Sequence, residues 1–532
     1  MQLRPLPSTI PVLLTSLWLL LACNLPFWAA LIEADAGLTA QRLPFLFAAG
    51  IALWAYFNLV LTLLAWRWIG KPLIVILLLV SAVATHFIQQ YGVHIDVDMM
   101  RNIMRTTPGE VSELLGPQLL LSVLVLGVLP ATVVARWPIA WRPWPREALS
   151  KLMVSTASLL IIGAIVYLYQ QDFARVRQNH PLLTPVNVAF AADRYLNEQS
   201  HINGELLAIG QDAHLAANAQ HQPTPTLLVV VIGESARADH FGLNGYSRDT
   251  TPQLARAGLL NFPDVSACGT STAISLPCMF SNLTRDHYSA AAAANRQNLL
   301  DVLSHAGIAV QWRINTNDCE GVCARVAQED MPSLGDRTLC QHDSCLDEML
   351  LHRLPERIAA IKENTVLVLH QRGSHGPGYF LRYPPAAARF LPDCQHQELK
   401  QCSQQEIINA YDNSIAYTDQ ILASIITMLK TDNHPLNSAL LYVSDHGESL
   451  GEYGLYLHGT PYAIAPAAQK QVPMLAWLSP NLLRDTGINS RCTQRVATQS
   501  YSHDNFFHTV LGMMQVETTA YDRGLDIFAA CR

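Results

Sequence analysis

Five long apolar runs occupy the first third of the 532-residue chain and constrain its fold more than any other feature. Each run is close to the ~20 residues that a helix needs to cross a bilayer. Half of all residues are hydrophobic and 14% are charged, which is too apolar for a purely soluble protein. We therefore predict five transmembrane helices, at about 11–32, 44–66, 72–90, 117–135 and 152–169.

Basic residues at the ends of these runs predict how the chain is oriented. Loops that face the cytoplasm carry an excess of Lys and Arg. Such residues precede the first run and separate the second from the third and the fourth from the fifth: Arg4, Arg67, Lys71, Arg136, Arg142, Arg146 and Lys151. Five spans then place the C-terminal part outside the cytoplasm. A cleaved signal peptide is the competing interpretation of the first run, but the other runs would still hold the chain in the membrane.

The cysteines point to the same compartment. Cys23 lies in the first apolar run, and the other ten of the eleven follow residue 260. Disulfides persist in oxidising compartments, whereas a thiolate metal site would need paired CxxC clusters that are not found here. Spacing pairs most of the ten as close neighbours and leaves the last two for each other: Cys268 with Cys278, Cys319 with Cys323, Cys340 with Cys345, Cys394 with Cys402, and Cys492 with Cys531.

The part of the chain after the apolar runs has the pattern of an α/β domain. Short β-branched runs alternate there with longer helical patterns, and the clearest buried strands are 227–232, 365–369 and 438–443. This alternation predicts a sheet with helices on both faces. We expect a transmembrane domain at 1–170, a linker on the membrane surface at 171–225 and a catalytic α/β domain at 226–532.

Polar clusters follow each of the three predicted strands. An open α/β sheet places its site beyond the carboxyl ends of its strands, so we expect these clusters to meet. Carboxylate and imidazole ligands without a free thiolate favour zinc, with manganese or magnesium also open. Singly, each residue is as well explained as a helix cap or a packed histidine. The clusters are Gly233-Glu234-Ser235, Gly373-Ser374-His375-Gly376 and Asp445-His446-Gly447-Glu448, with His458 shortly after the last.

The segment from Cys268 to Cys278 is rich in hydroxyl groups and is predicted to open a helix. Helix N-termini favour anions, and a threonine hydroxyl beside a metal can attack phosphorus. Taken alone, the segment is better explained as an ordinary Ser/Thr N-cap. Beside a predicted set of metal ligands, we favour a nucleophile.

Together, these segments resemble the phosphoethanolamine transferases, and most closely the lipid A branch that includes the mobile colistin resistance enzymes. The resemblance covers essentially the whole chain and rests on 233–237, 268–281, 373–377 and 445–448. It implies an α-helical membrane domain of five transmembrane helices followed by an α/β alkaline-phosphatase/sulfatase-like domain. Thr272 would carry the phosphoethanolamine and, with Glu234, Asp445 and His446, bind zinc. His375 and His458 would bind substrate phosphate or a second zinc.

The resemblance also implies a reaction and a location. The chain would move phosphoethanolamine from phosphatidylethanolamine to a lipid A phosphate through a phosphothreonine, in the inner membrane of a Gram-negative bacterium with its catalytic domain in the periplasm. Masking negative charge on lipid A would confer polymyxin resistance. Alternative acceptors are core heptose or a periplasmic glucan.

Other classes of protein remain as rivals. A phosphoglycerol transferase has the same fold, as does a sulfatase, although a sulfatase usually carries a Cys/Ser-x-Pro-x-Arg motif that the segment around Thr272 lacks. A non-catalytic membrane sensor or transporter is the rival from a different class. The net charge of -7 provides no basic surface for nucleic acid, so we expect no nucleic-acid partner.

A second set of polar residues follows the third apolar run. Asn102, Thr106 and Glu110 recur at intervals of four, so a continuous helix would align them in one stripe. However, Thr107, Pro108 and Glu110 also fit a capping box at the start of a new helix. The family resemblance favours these three residues as contacts to the donor headgroup, where a carboxylate would pair with ammonium.

One position departs from the family pattern. Members commonly carry a lysine before the Gly-Val of the segment Cys319–Cys323, and this chain has Glu320 there. A carboxylate cannot hold a phosphate by charge. We expect the contact to be lost or to be replaced by a neighbouring arginine such as Arg313 or Arg325.

Overall fold

The computed structural model describes residues 4–532 except 34–41, 174–175, 177–178, 203–205, 317, 342–343 and 432–435. Several of these gaps fall in the predicted linker, which therefore lies partly outside the described residues. The chain forms two compact units, and the division does not follow the linear sequence. The first unit contains 1–100 and 115–194, and the second contains 101–114 and 195–532.

The first unit is built from long apolar helices. Four of them are long and apolar enough to cross a membrane, with mean hydropathies of 1.9 to 2.2, and a bent pair supplies a fifth span if it counts as one. The prediction of a helical membrane domain is confirmed. In order, the helices of this unit are α1 (Thr9–Ala22), α2 (Leu25–Glu33), α3 (Leu43–Leu64), α4 (Gly70–Tyr91), α7 (Pro117–Arg136) and α8 (Trp144–Leu168).

The first predicted span is not one straight helix. The helices α1 and α2 meet at an angle of 52°, and Asn24 lies at the break. Its amide nitrogen donates hydrogen bonds to the carbonyl groups of Leu19 and Thr184, at 2.8 and 2.7 Å. The first bond satisfies a carbonyl group that the interrupted helix leaves without a partner, which a bilayer interior requires, and the second ties the break to a distant segment of the same unit. Pro26, which lacks a backbone N–H, adds to the interruption.

Two close contacts hold the other helices of this unit together. A Cβ at Gly127 of α7 would lie 3.0 Å from the Cβ of Ala82 on α4, so only a small residue permits this approach. Lys151 of α8 donates to the carbonyl groups of Thr62 and Ala65 at the end of α3, both at 2.6 Å. A cation at a helix C-terminus is favourable because the last carbonyl groups carry partial negative charge.

The second unit is organised around a seven-stranded sheet within the described residues. Its order is β2-β7-β6-β1-β5-β3-β4, and the strands are parallel except β7, which is antiparallel to both neighbours. The sheet therefore has the α/β architecture that the sequence predicts. In chain order, its strands are β1 (Thr226–Gly233), β2 (Leu260–Phe262), β3 (Ala309–Ile314), β4 (Ala327–Asp330), β5 (Thr365–His370), β6 (Asn437–Ser444) and β7 (Met474–Leu478).

Helices cover both faces of this sheet, and alternate residues of β1 belong to two separate cores. Leu228 and Val230 pack into one core, and Leu227 and Val229 pack into the other. Burial on both faces explains why this strand is an unbroken apolar run. The described helices that lie wholly or partly in this unit are α5 (Val97–Arg105) and α9 (Val186–Ser200), which both cross the boundary between the units, and α6 (Pro108–Leu114), α10 (Ala217–Gln220), α11 (Thr272–Met279), α12 (Ala290–Ala294), α13 (Leu299–His305), α14 (Leu354–Ala359), α15 (Gln404–Thr431), α16 (Ala467–Lys470), α17 (Pro480–Asp485), α18 (Ser490–Val496) and α19 (Asp504–Met513).

Five disulfides join the ten cysteines of the second unit in the pairs that spacing predicts. The bond between Cys268 and Cys278 joins the segment before α11 to the last turn of that helix. Cys23 stays a buried free thiol in the first unit.

Candidate active site

Two carboxylate residues, Glu234 and Asp445, follow neighbouring strands of the sheet. The strands β1 and β6 are parallel neighbours in register, with Ser444 opposite Gly233. Glu234 directly follows β1 and Asp445 directly follows β6, so both acids lie at the carboxyl edge of the sheet. The backbone N–H of Asp445 donates to the carbonyl of Gly233 at 3.0 Å, which fixes this junction.

Thr272 is the first residue of α11, and its hydroxyl faces these acids. It donates to Glu234 Oε2 at 2.9 Å and lies 3.2 Å from His446 Nε2. The alternative explanation of the segment as an ordinary cap is not realised, because Ser271 holds the N-cap position and forms no side-chain cap. The Thr272 hydroxyl is therefore available for chemistry.

The acids and His446 are deeply buried and strongly coupled. Burial and the charge of Glu234 raise the pKa of Asp445 to about 7. Burial also opposes ionisation of Glu234, but the adjacent His446 outweighs it and holds the pKa of Glu234 well below its usual range. Burial opposes protonation of His446 too, yet Asp445 and Glu234 raise its pKa to about 10. The adjacent negative charges of Glu234 and Asp445 therefore favour a cation at this site.

The donor set suits a divalent metal. The ligand atoms of Glu234, Asp445 and His446 lie within 4.8 Å of one another, and Asp445 Oδ2 is buried without a hydrogen-bond partner among the described residues. His446 Nδ1 donates to the carbonyl of Gly447 at 2.9 Å, which leaves Nε2 to coordinate, as metal-binding histidines usually do. The residues therefore fit a zinc ion.

A second group of side chains lies next to the first. A two-residue antiparallel ladder pairs Ser449 with Leu457, so Glu448 and His458 flank its open end. His458 Nδ1 lies 2.8 Å from Glu448 Oε2. The ring centroids of His446 and His458 are 4.4 Å apart, and the ligand atoms of His446, Glu448 and His458 form a second possible metal group.

His375 completes the second group from the end of β5. Gly373 makes this possible, since its φ is +54° and a Cβ there would lie 2.6 Å from the Glu234 carbonyl. The ring of His375 is 5.4 Å from that of His458, and burial lowers the pKa of His375 well below its usual range. His375 is therefore a neutral imidazole beside the acids.

Glu110 reaches this second group from far away in the sequence. The helix α5 ends at Arg105 and α6 begins at Pro108, so the continuous helix that would align Asn102 and Thr106 with Glu110 is not formed. Pro108 causes the break because the residue before a proline avoids helical angles.

Glu110 instead has two contacts at once. Its Oε2 accepts from the backbone N–H of Thr107 at 3.1 Å, as half of the capping box. Its Oε1 lies 3.6 Å from His375 Nε2. Glu113, which sequence reasoning missed, anchors the same helix: its Oε2 lies 2.6 Å from Arg382 Nη2. Its Oε1 lies 3.5 Å from Arg372.

The cation that the structure places beside Glu320 is neither of the two arginines that we expected there. Arg313 is 1% exposed and bonds Glu329, so it is part of the core rather than the site. Arg325 pairs with Asp301. The cation next to Glu320 is Arg105, with Nε 3.6 Å from its carboxylate. Burial raises the pKa of Glu320 to about 7.

Comparisons with known proteins show the family of the chain. The family model described as phosphoethanolamine transferase EptA/EptB matches residues 53–200, and the sulfatase model matches 226–516. Phosphoethanolamine transferase EptA of Escherichia coli K12 is 39% identical, covering 98% of this chain and 96% of the relative. The chain belongs to the phosphoethanolamine transferase family.

Other members of the phosphoethanolamine transferase family match over nearly their full length. Phosphatidylethanolamine transferase Mcr-1 of Escherichia coli is 36% identical over 90% of each chain. The solved structure of the integral membrane lipooligosaccharide phosphoethanolamine transferase A from Neisseria meningitidis is 36% identical, with a TM-score of 0.96, and covers 99% of this chain and 100% of its own. This chain is therefore an integral membrane phosphoethanolamine transferase with a sulfatase-like domain.

Two further residues of this phosphoethanolamine transferase were not predicted from its sequence. Ser275 of α11 donates to the carbonyl of Asp445 at 2.5 Å, and His503 Nδ1 lies 3.1 Å from the Ser275 hydroxyl. His503 Nε2 also lies 3.0 Å from the carbonyl of Ser444. Together they fix α11 against β6. His503 stands apart from every motif, so no local signal marks it.

Proposed function

We propose that this chain transfers phosphoethanolamine from phosphatidylethanolamine to a phosphate of lipid A, with Thr272 as the covalent carrier. The observation that carries the proposal is the Thr272 hydroxyl, 2.9 Å from Glu234 and 3.2 Å from His446 at a helix N-terminus. The relatives support the donor and acceptor classes, since one is named a phosphatidylethanolamine transferase and another a lipooligosaccharide phosphoethanolamine transferase.

We propose zinc as the cofactor, held by Glu234, Asp445, His446 and the Thr272 oxygen. Bound zinc would lower the pKa of the Thr272 hydroxyl and stabilise negative charge on the phosphoryl oxygens. His375 and His458 border this site and are proposed to bind substrate phosphate or a second zinc. The buried Glu234, Asp445 and His446 exclude water from the back of the site.

The first step moves the phosphoethanolamine group onto Thr272. A bond forms between the Thr272 oxygen and phosphorus, and the bond from phosphorus to the diacylglycerol oxygen breaks. The hydroxyl proton has a carboxylate acceptor in place at Glu234 Oε2, and the departing diacylglycerol oxygen takes up one proton. The first N–H groups of α11 have no intrahelical acceptor and suit the phosphoryl oxygens.

Glu110 is the proposed partner of the donor ammonium. Its carboxylate lies 3.6 Å from His375, beside the phosphate-binding group, so one headgroup could contact both. Asn102 and Thr106 remain proposed headgroup contacts on the preceding segment.

In the second step, an oxygen of the acceptor phosphate attacks the phosphorus on Thr272. The bond from phosphorus to Thr272 breaks, and the proton lost by the acceptor phosphate returns to the threonine oxygen. The product is a diphosphate that carries an ammonium group, so lipid A loses net negative charge, which would weaken polymyxin binding. We place the enzyme in a Gram-negative inner membrane with its catalytic unit in the periplasm.

Mass spectrometry of lipid A from cells with and without the protein tests this function. We expect lipid A to gain the mass of one phosphoethanolamine with the wild-type chain and with Thr272→Ser, and to gain none with Thr272→Ala. If core heptose or a periplasmic glucan gains this mass instead, that molecule is the acceptor rather than lipid A. No gain on any envelope molecule, with the protein correctly inserted, would refute the proposal.

A further inference from the structure

A cavity of about 190 Å³ lies beside the start of α11. Ala273, which follows Thr272 in the sequence, and Pro277 of that helix form part of its wall. Within the described residues, Glu320 is the only acid in the wall, and the other carboxylates that pair with the wall's arginines lie outside it. Four basic side chains from distant segments meet there: Arg101, Arg105, Arg296 and Arg325.

Two of these arginines are held by carboxylates outside the wall. Arg325 binds Asp301 through two parallel hydrogen bonds, at 2.7 and 2.6 Å. Arg101 is paired with Glu198. The guanidinium of Arg325 carries five donors in a planar fork, so Asp301 on one side leaves donors for another anion. Anchored arginines also lose little freedom when a ligand binds.

The other two arginines have side-chain donors that can form hydrogen bonds to a ligand. Arg296 donates through Nη1 to Asn282, but its buried Nε has no partner among the described residues. Arg105 is 45% exposed and lies 3.5 Å from Asp318 and 3.6 Å from Glu320. Those distances exceed a hydrogen bond, so an incoming anion can replace these contacts.

The cavity is separate from the proposed donor contacts. Glu110, His375 and His458 do not line it. Its volume is below the ~300 Å³ at which pockets hold whole drug-sized ligands. It therefore suits a phosphorylated headgroup rather than a complete lipid.

We propose that this arginine-lined cavity binds the acceptor through its phosphate group, presented on a sugar. The inference rests on the proposed function and deepens it. A phosphate monoester held there would have an oxygen free to form the new bond to the phosphorus on Thr272. That phosphorus would release the threonine oxygen, which takes the proton lost by the acceptor.

The test separates the two half-reactions in the full chain, purified in detergent. The first is read as diacylglycerol release from phosphatidylethanolamine and as the adduct mass on the intact protein, without acceptor. The second is the KM for lipid A. We expect Arg105→Ala and Arg296→Gln each to raise this KM about 10-fold, through lost charge-assisted hydrogen bonds, with adduct formation unchanged. Arg491→Ala, an exposed arginine elsewhere on the same unit, is the matched control.

Glucosamine 1-phosphate serves as a soluble probe, and inorganic phosphate tests whether the sugar matters. We expect the sugar phosphate to compete with lipid A but not with the donor, and to compete less well in Arg105→Ala. Equal competition by inorganic phosphate would overturn the sugar phosphate as ligand. An unchanged KM in both cavity variants, or a matching loss of adduct formation, would overturn the cavity assignment. If the wild type forms no adduct at all, it is the proposed function that fails.

Discussion

The two groups of side chains that flank Thr272 are held by the fold in different ways. Glu234, Asp445 and His446 follow adjacent parallel strands, and their side chains are 0–2% exposed. His375 and His458 come from loops and are 21% and 17% exposed, and Glu110, from a short helix, is 19% exposed. The first group is fixed by the sheet, whereas the second is shaped by segments that meet only in the folded chain.

This difference in support and exposure predicts different roles for the two groups. The sheet-held group is rigid and dry, as binding a metal and orienting a nucleophile require. The loop-held group borders solvent, so a substrate can enter and leave beside it. Substitutions in the first group should therefore reduce chemistry itself, and substitutions in the second should mainly reduce donor binding.

The largest effect is expected from Thr272→Ala. Removing the nucleophile should lower diacylglycerol release from phosphatidylethanolamine by ~10³-fold or more. The variant should fold normally, because Thr272 provides no cap. Thr272→Ser is the matched control and should keep measurable activity. Substantial turnover by the alanine variant would falsify the nucleophile assignment.

Asp445→Asn should reduce metal content as well as activity. The change keeps the volume but removes a charged ligand, so we expect zinc affinity to fall at least ~10-fold. Elemental analysis of the purified chain measures it, with Asp249→Asn, an exposed aspartate away from the site, as control. His446→Ala should behave in the same way. Wild-type zinc content in both ligand variants would show that the sheet-held group is not the metal site.

Glu110→Gln should weaken binding of the donor lipid without changing the metal content. Glutamine still completes the capping box, but it cannot pair with ammonium, so the KM for phosphatidylethanolamine should rise ~10-fold at normal zinc content. Thr107→Ala is the matched control, because it removes the cap and leaves the carboxylate. Unchanged kinetics in Glu110→Gln would reduce Glu110 to a capping residue.

Reduction of the disulfides should destabilise the catalytic unit. Each closed loop constrains the unfolded chain by ~2 kcal/mol or more, so reduction of all five bonds should lower the unfolding midpoint by about 10 degrees or more. Thermal unfolding with and without reductant measures this, and thiol counting verifies the reduction. The free thiol of Cys23 provides a control, since Cys23→Ala should leave the reductant effect intact. An unchanged midpoint after complete reduction would contradict the prediction.

The smallest effect is a pH dependence of donor binding. Burial raises the pKa of Glu110, so this carboxyl takes up a proton at a higher pH than an ordinary glutamate. Only its ionised form attracts ammonium, so the wild-type KM for phosphatidylethanolamine should rise a few-fold as the pH falls from neutrality toward that raised pKa. The KM of Glu110→Gln should change less, and a constant ratio between the two enzymes at every pH would contradict the proposed pairing.

The sequence by itself determined the features that depend on local pattern. Apolar runs of bilayer length predicted the membrane helices, and short buried runs predicted β1, β5 and β6. Parallel strands end at one edge of a sheet, so the placement of Glu234 and Asp445 at the same edge followed from their positions after strands, whereas the sheet order made them neighbours. Short spacing predicted four disulfide pairs, and Cys492 with Cys531 followed by elimination.

Only the tertiary structure decided the contacts between distant segments. The helix break before Pro108 places Glu110 next to His375, about half of the chain away in sequence. The clamp by His503 and the arginine cavity also join residues that no motif connects. Such contacts depend on how loops cross the sheet edge, and a periodic pattern carries no information about that crossing because loops have no period.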